Sequence, residues 1–358
     1  MSKLIDIIKR AITLEITDLH FHEGKRPYVR QLTKIIKLYN EDIVVHNDFI
    51  EFFDSLEISN EKKDELHKNG SFDLGLVIPE VGNLRLNVYY QQNKLACSIR
   101  LLPSSIPSFY SLNLPEELLR ITKMQSGLVL ITGLTGTGKT TTIASLINEI
   151  NMQQAKHIIT IEDPIEYHYP EGHSLVSQRE VGADCPNFCE GLRASLRQDP
   201  DVIVIGEMRD KETILTAIEA AESGHLVLST LHTGSTASTI DRIISYFSDE
   251  EKNHICSKLS MILSVVVSQQ LLVGKTYDTI YPCQEIMFMN DSIRNLIREG
   301  KCHQIYSFLQ IGKDYGCITL EEMLTKLVIE EKITKETALS HCNNPSALEG
   351  YFRQYRIN

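Results

Sequence analysis

The chain has 358 residues, 42% of them hydrophobic, and 36 Lys and Arg stand against 47 Asp and Glu for a net charge of −11. That length suggests two or three domains with ample core, and the acidic balance argues against broad attraction to nucleic acid or to an anionic membrane. No apolar run of about 18 residues occurs, and the opening MSKLIDIIKRAITLEITDLH mixes charges with apolar residues where a signal peptide keeps an unbroken apolar core; a cytoplasmic protein is expected. The eight cysteines form no C-x-x-C pair, so reduced thiols are expected in place of a disulfide framework or zinc ribbon. Cys185 and Cys189 make half of a metal site at most, with no second pair near in sequence.

In chain order, Leu4, Ile5, Ile7, Ile8, Ala11 and Ile12 recur at helical spacing. Alternation at 18–21 and 28–30 predicts short strands, a Glu- and Lys-rich stretch predicts a helix over 47–69 ended by Gly70, and 71–79, 82–90 and 94–100 read as antiparallel strands. Residues 1–102 are thus expected to form an α+β unit. Pro and Ser across 103–114 predict an interdomain linker, and a helix over 115–124 leads into the second domain, 115–358. Within it, apolar runs at 157–162, 202–206 and 225–230 alternate with helical segments, the pattern of an α/β domain with a mainly parallel sheet whose ligands sit at the carboxyl ends of the strands. From about residue 280 the pattern turns helical: 291–299, 304–310, 318–330 and 335–340.

The stretch GLVLITGLTGTGKTTT at 127–142 organises this second domain. Leu128 to Ile131 read as a buried strand. Gly133, Leu134, Thr135, Gly136, Thr137, Gly138, Lys139 and Thr140 then fit G-x-x-x-x-G-K-[ST], and a helix carries on through Thr141 to about residue 150. Gly133, Gly136 and Gly138 let backbone N–H groups turn inward around a polyphosphate, with Thr135, Thr137 and Thr141 in the same cradle. Lys139 supplies a positive charge at the β- and γ-phosphates, Thr140 a hydroxyl for Mg²⁺, and the helix its positive dipole end. ATP and Mg²⁺ are therefore the expected cofactors.

Three further strands end in chemistry. DVIVIGE at 201–207 delivers Glu207, followed by Met208-Arg209-Asp210; a carboxylate there would polarise the attacking water and complete the Mg²⁺ environment, while the plainer alternative is a surface Glu closing a strand. HIITIEDPIE at 157–166 delivers Glu162 and Asp163, second carboxylates that would reach Mg²⁺ through water, and more weakly Glu166; Asp163 as a helix cap is the alternative. HLVLSTLHT at 225–233 carries His225 and His232 at its two ends, each either a γ-phosphate sensor or a satisfied core histidine. The charge on a transferring phosphoryl group calls for guanidinium; Arg85 and Arg100 in the first region and Arg193, Arg197 and Arg209 in the second are the candidates, against ordinary surface ion pairing.

These stretches, in this order, resemble the secretion ATPases of type II secretion and type IV pili: the phosphate loop GLTGTGKTTT, an Asp box TIEDPIE at 160–166, the acidic strand DVIVIGEMRD and a His box GHLVLSTLHTGSTASTIDRI at 224–243. Asp18-Leu19-His20 and Gln178-Arg179-Glu180-Val181-Gly182 belong to the same likeness, which covers nearly the whole chain. Within that family, SIRNLIREGK at 292–301 resembles the AIRNLI signature of the PilT-like retraction motors. The extension motors generally carry a long extra N-terminal region and a four-cysteine zinc site, and neither is read here. The resemblance implies a PAS-like N-terminal domain, a RecA-like P-loop ATPase domain with a helical C-terminal extension, and Arg85 and Arg100 as arginines that reach the phosphates. It implies a homohexameric motor that hydrolyses ATP to retract a type IV pilus, peripheral to the cytoplasmic face of the inner membrane, with a platform protein of that membrane as partner and no nucleic acid. An assembly ATPase for pili, type II secretion or DNA uptake, and a nonhydrolysing ring subunit, stay open as alternatives. Leu134 stands where the family usually has Pro, Thr140 where Ser is common and Ser292 where Ala is usual; the segment VRQLTKIIKL at 29–38 lacks the customary Gly-containing turn.

Overall fold

In the computed structural model, which describes residues 2–14, 16–31, 34–102, 105–276 and 279–357, the chain divides into two units, Met1–Ser105 and Ile106–Asn358. Residues 103–104 of the expected linker, and residues 32–33 of the segment without the customary turn, lie outside the described residues.

The first unit is an antiparallel sheet with three helices. Leu4, Ile5, Ile7, Ile8 and Ala11 bury one stripe of α1 (Lys3–Ile12). Strands β1 (Asp18–His22), β2 (Tyr28–Gln31) and β3 (Lys34–Lys37) are followed by α2 (His46–Ser55) and α3 (Asn60–Asn69), then by β4 (Ser71–Ile78), β5 (Gly82–Gln91) and β6 (Lys94–Leu101). The sheet order is β3-β2-β1-β6-β5-β4. Where one helix was expected over 47–69 there are two. Ile58 is buried and Glu57 has φ of 51°, while the Ser59 side chain accepts from the Lys62 N–H and starts a new helix. Gly70, at φ of 82°, ends it as anticipated.

The second unit is built on a seven-stranded sheet of order β13-β12-β7-β11-β10-β8-β9. Its strands are β7 (Gly127–Thr132), β8 (His157–Glu162), β9 (Leu175–Glu180), β10 (Val202–Ile205), β11 (Leu226–Leu231), β12 (Leu263–Val273) and β13 (Ile280–Phe288). All neighbours are parallel except the β12–β13 pair. Every residue of β7, β10 and β11 is buried, as expected of central strands covered on both faces. Each such Leu, Ile or Val stabilises the unit by roughly 1.5–3 kcal/mol. Flanking helices include α4 (Lys139–Gln153), α5 (Phe188–Ser195), α6 (Lys211–Glu222), α7 (Thr236–Ile244) and α8 (Asp249–Ile262). The helix expected over 115–124 is a 3-10 helix, Glu116–Lys123.

β9, β12 and β13 were not expected. β12 starts where α8 ends, with no Gly or Pro between them, so its apolar run reads as more helix. The expected C-terminal helices are present as α9 (Asp291–Arg298), α10 (Ile305–Ile311), α11 (Leu320–Ile329) and α12 (Lys335–His341), with α13 (Pro345–Gln354) in addition. Leu272 and Cys283 of the β12–β13 hairpin form a separate apolar cluster with Leu320, Leu324, Leu348 and Phe352.

Candidate functional site

β7 runs directly into the glycine-rich loop, which ends at the first turn of α4. Gly133, Gly136 and Gly138 have φ of 146°, 80° and 81°, all in the region that side chains avoid. Gly133 has a second reason to be glycine: a Cβ there would come 2.3 Å from the Gln269 carbonyl oxygen. Thr137 Oγ1 donates to the Leu134 carbonyl at 2.9 Å, closing the loop, while Thr135, Gly136 and Thr140 are exposed. Leu134, at the position of the usual Pro, projects into solvent. Lys139 is buried, and its Nζ donates to the carbonyl oxygens of Gly133 and Leu134 at 2.8 and 3.0 Å. Burial holds the Lys139 ammonium below its ordinary value, against the charges of Glu207 and Glu166, which pull the other way. Thr141 Oγ1 lies 3.0 Å from the Tyr167 hydroxyl, which ties the first turn of α4 to the segment after β8.

Because β7, β8, β10 and β11 are parallel, their carboxyl ends share one edge, and the loop, Glu162, Glu207 and His232 come out together there. Glu207 pairs with Arg209, and its Oε2 lies 3.3 Å from His232 Nε2. Burial pushes the Glu207 carboxyl up, but Arg209 first and His232 second outweigh it, so the group sits below the usual carboxylate value. Glu162 Oε1 accepts from Thr160 Oγ1 at 2.6 Å and Gln178 Nε2 at 3.1 Å, and burial raises its carboxyl despite these bonds. Asp163 is exposed and its charge is felt by Arg209. Among the described residues no three His, Cys, Asp or Glu side chains converge into a protein-only metal cage. Thr140, Glu162, Asp163 and Glu207 are nonetheless hard oxygen donors on one edge, the set a cation uses when it keeps waters and shares phosphate ligands.

His225 does not join this group. It precedes β11, at the amino edge of the sheet, about 20 Å from the carboxyl edge by strand rise alone. Its Nδ1 lies 3.0 Å from both the Ser223 hydroxyl and the Ala220 carbonyl oxygen, a local contact at the end of α6. Arg193 pairs with Glu190 on the surface of α5.

In the first unit, Arg85 of β5 stands directly across from Arg100 of β6, which in turn stands across from Asp18 of β1, itself opposite Arg30 of β2. Arg100 Nε donates to Asp18 Oδ1 at 2.8 Å; Arg30 Nε lies 4.0 Å from Asp18 Oδ2 and Arg85 Nε 3.9 Å from Asp73 Oδ1. Like charges opposed across strands destabilise a sheet, and Asp18 and Asp73 beside the arginines offset that repulsion here.

Residues outside the motifs also shape the site. Gln178 clips Glu162 to the Tyr167 carbonyl, and Gln269 reaches the phosphate loop from β12. The signal for Gln269 was a polar residue inside the apolar run VVVSQQLLV.

Residues 66–347 match the family described as Type II/IV secretion system protein. The type IV pilus retraction ATPase PilT of Pseudomonas aeruginosa is 39% identical over 92% of this chain and 95% of its own. A twitching motility protein of Neisseria gonorrhoeae is 41% identical over 78% of this chain and 75% of its own. The crystal structure of the pilus retraction motor PilT with bound ADP superposes with a TM-score of 0.89 at 42% identity, covering 97% of this chain and 99% of that one. The first unit, with its antiparallel sheet, is therefore followed by a RecA-like ATPase unit, and the chain belongs to the type II/IV secretion system protein family.

Proposed function

We propose that the chain is an ATP-hydrolysing motor subunit that drives retraction of a type IV pilus. The observation that carries the reading is the shared edge on which a buried Lys139 inside a glycine loop feels the charge of Glu207. Likeness to PilT of P. aeruginosa over 92% of the chain supports the retraction assignment. Lys139 and the loop N–H groups hold the triphosphate, and Glu207 orients and polarises the attacking water. His232 keeps the Glu207 carboxylate aimed, and Arg85 and Arg100 stabilise charge on the phosphoryl group in a ring of identical subunits. The Thr140 hydroxyl, with Glu162, Asp163 and Glu207 through water, would hold Mg²⁺, which would supply charge neutralisation to the phosphates when bound. His225 has no part in this scheme. The ring is a homohexamer that works at the cytoplasmic face of the inner membrane on a platform protein of the pilus base. No helix among the described residues is long and apolar enough to cross a membrane, which suits a peripheral motor.

Deleting the gene and restoring it as wild type or Lys139→Ala separates the readings. Surface pili that accumulate in the deletion, and retract again only with the wild-type copy, support retraction. Pili that vanish support the assembly reading, and full rescue by Lys139→Ala supports a nonhydrolysing ring subunit.

A further inference from the structure

The geometry points to Gln269 as a positioning residue for the phosphate loop, a role that rests on the nucleotide-binding reading above. Gln269 lies on β12, and only 2% of it is exposed. Its Nε2 donates to the Thr137 carbonyl oxygen inside the loop at 2.7 Å, and its Oε1 accepts from Thr142 Oγ1, in the first turns of α4, at 3.0 Å. A carboxamide is a neutral group that donates and accepts from one planar end, so it can hold a loop carbonyl and a helix hydroxyl at once. The loop packs closely on this residue: a Cβ at Gly133 would meet its backbone oxygen at 2.3 Å, and one at Gly138 would come 3.2 Å from its Nε2.

The carbonyl it holds matters for the peptide that follows. In a planar trans peptide the C=O and the next N–H point in opposite directions. Drawing the Thr137 carbonyl toward the Gln269 side chain therefore turns the Gly138 N–H away from it. Gln269 acts on nucleotide binding through the direction of that amide.

A second glutamine supports the first. Gln284 of β13 stands opposite Gln269 in register, and its Nε2 donates to Gln269 Oε1 at 3.3 Å. Gln284 is fully buried, and its own Oε1 has no hydrogen-bond partner among the described residues. A buried orphan acceptor is a cost that apolar strand residues would avoid, so what fixes Gln284 here is its donation to Gln269.

The test uses the purified full chain and four variants, with steady-state ATP hydrolysis, ADP titration and thermal melting on each. Gln269→Met keeps the volume and loses all three side-chain hydrogen bonds, to Thr137, Thr142 and Gln284; it is expected to raise KM for ATP and the ADP Kd by about tenfold or more while the melting temperature moves by only a few degrees. Thr142→Val, which removes only the hydroxyl held by Gln269, shifts both constants the same way by a smaller factor, and Thr142→Ser restores them. The double variant Gln269→Met/Thr142→Val is no worse than Gln269→Met alone, because both act through one link. Wild-type KM and Kd in Gln269→Met overturn the assignment. Should that variant fail to fold, equal constants in Thr142→Val and Thr142→Ser overturn it instead. If the wild-type chain neither binds ADP nor hydrolyses ATP, the nucleotide reading fails, a result distinct from a working wild type with unchanged variants.

Discussion

His232 Nε2 lies 3.3 Å from Glu207 Oε2, and the same carboxylate is paired with Arg209. The histidine follows β11 and the glutamate follows β10, neighbouring parallel strands, so the contact is a direct consequence of the sheet order. With His232 gone, the carboxylate keeps its charge through Arg209 but loses one of the two groups that aim it. His232→Ala is expected to lower kcat by about tenfold or more while leaving the ADP Kd within about threefold of wild type. Stopped-flow phosphate release and calorimetric ADP titration check this; an unchanged kcat contradicts it.

The loop glycines separate strain from collision. Gly136, at φ of 80°, has open space where a Cβ would sit, so Gly136→Ala costs only backbone strain, about 1–2 kcal/mol. Gly133→Ala adds a collision with backbone, the Gln269 carbonyl oxygen at 2.3 Å, and with Thr137 Oγ1 at 2.6 Å. Chemical denaturation should find Gly133→Ala less stable than Gly136→Ala by about 1–3 kcal/mol. Equal stabilities would mean that the loop and β12 are not packed as described.

Arg100 pairs with the largely buried Asp18, but its own side chain is 62% exposed. Screening limits what that pair adds to stability to about 0.2–1 kcal/mol. A guanidinium that stabilises a transferring phosphoryl group is worth a factor of about 10³ or more in turnover. Arg100→Ala should therefore melt near wild type and hydrolyse ATP poorly. If the arginine serves a neighbouring subunit, mixing inactive Arg100→Ala with inactive Lys139→Ala subunits restores part of the activity; no restoration would contradict service to a neighbour.

Glu285 on β13 caps α7: its Oε1 accepts from the Thr236 N–H at 2.7 Å and from Thr236 Oγ1 at 2.8 Å. Burial nevertheless raises its carboxyl above the ordinary value of 4.5, and the nearby Glu321 raises it further. The folded chain thus holds this proton more tightly than the unfolded one, so its contribution to stability is greatest below the unfolded value and falls as pH rises through the folded value. Glu285→Gln keeps an acceptor for Thr236 and has no proton to lose. Urea midpoints measured from about pH 4 to about pH 8 should fall less steeply with rising pH in Glu285→Gln than in wild type; parallel curves contradict the assignment.

How far the sequence carried depended on whether the controlling contact was local. The phosphate loop was legible because its glycines, lysine and threonine are contiguous and their spacing is set by backbone chemistry. Glu207, Glu162 and His232 were legible because each ends an apolar strand, and parallel strands align their ends. His225, read from the sequence as a second candidate sensor, begins its strand and so falls on the far edge by the same rule. β12 and β13 were not legible, since an antiparallel hairpin at the edge of a parallel sheet depends on nonlocal pairing and since buried Gln269, Gln284 and Glu285 interrupt its apolar pattern. The division of 47–69 into two helices turned on Ser59 as a cap and on burial of Ile58, which a run of charged residues concealed. The row Arg30, Asp18, Arg100 and Arg85 required the register of four strands.

In the function proposed, the loop at Lys139 binds ATP and the carboxylate of Glu207 enables its hydrolysis. Single-turnover hydrolysis of ATP with magnesium by purified Glu207→Gln, read against ATP binding in the same samples, tests it most directly. Binding within about threefold of wild type and a hydrolysis rate lowered by about 10² or more are expected. Hydrolysis at the wild-type rate in Glu207→Gln would contradict it.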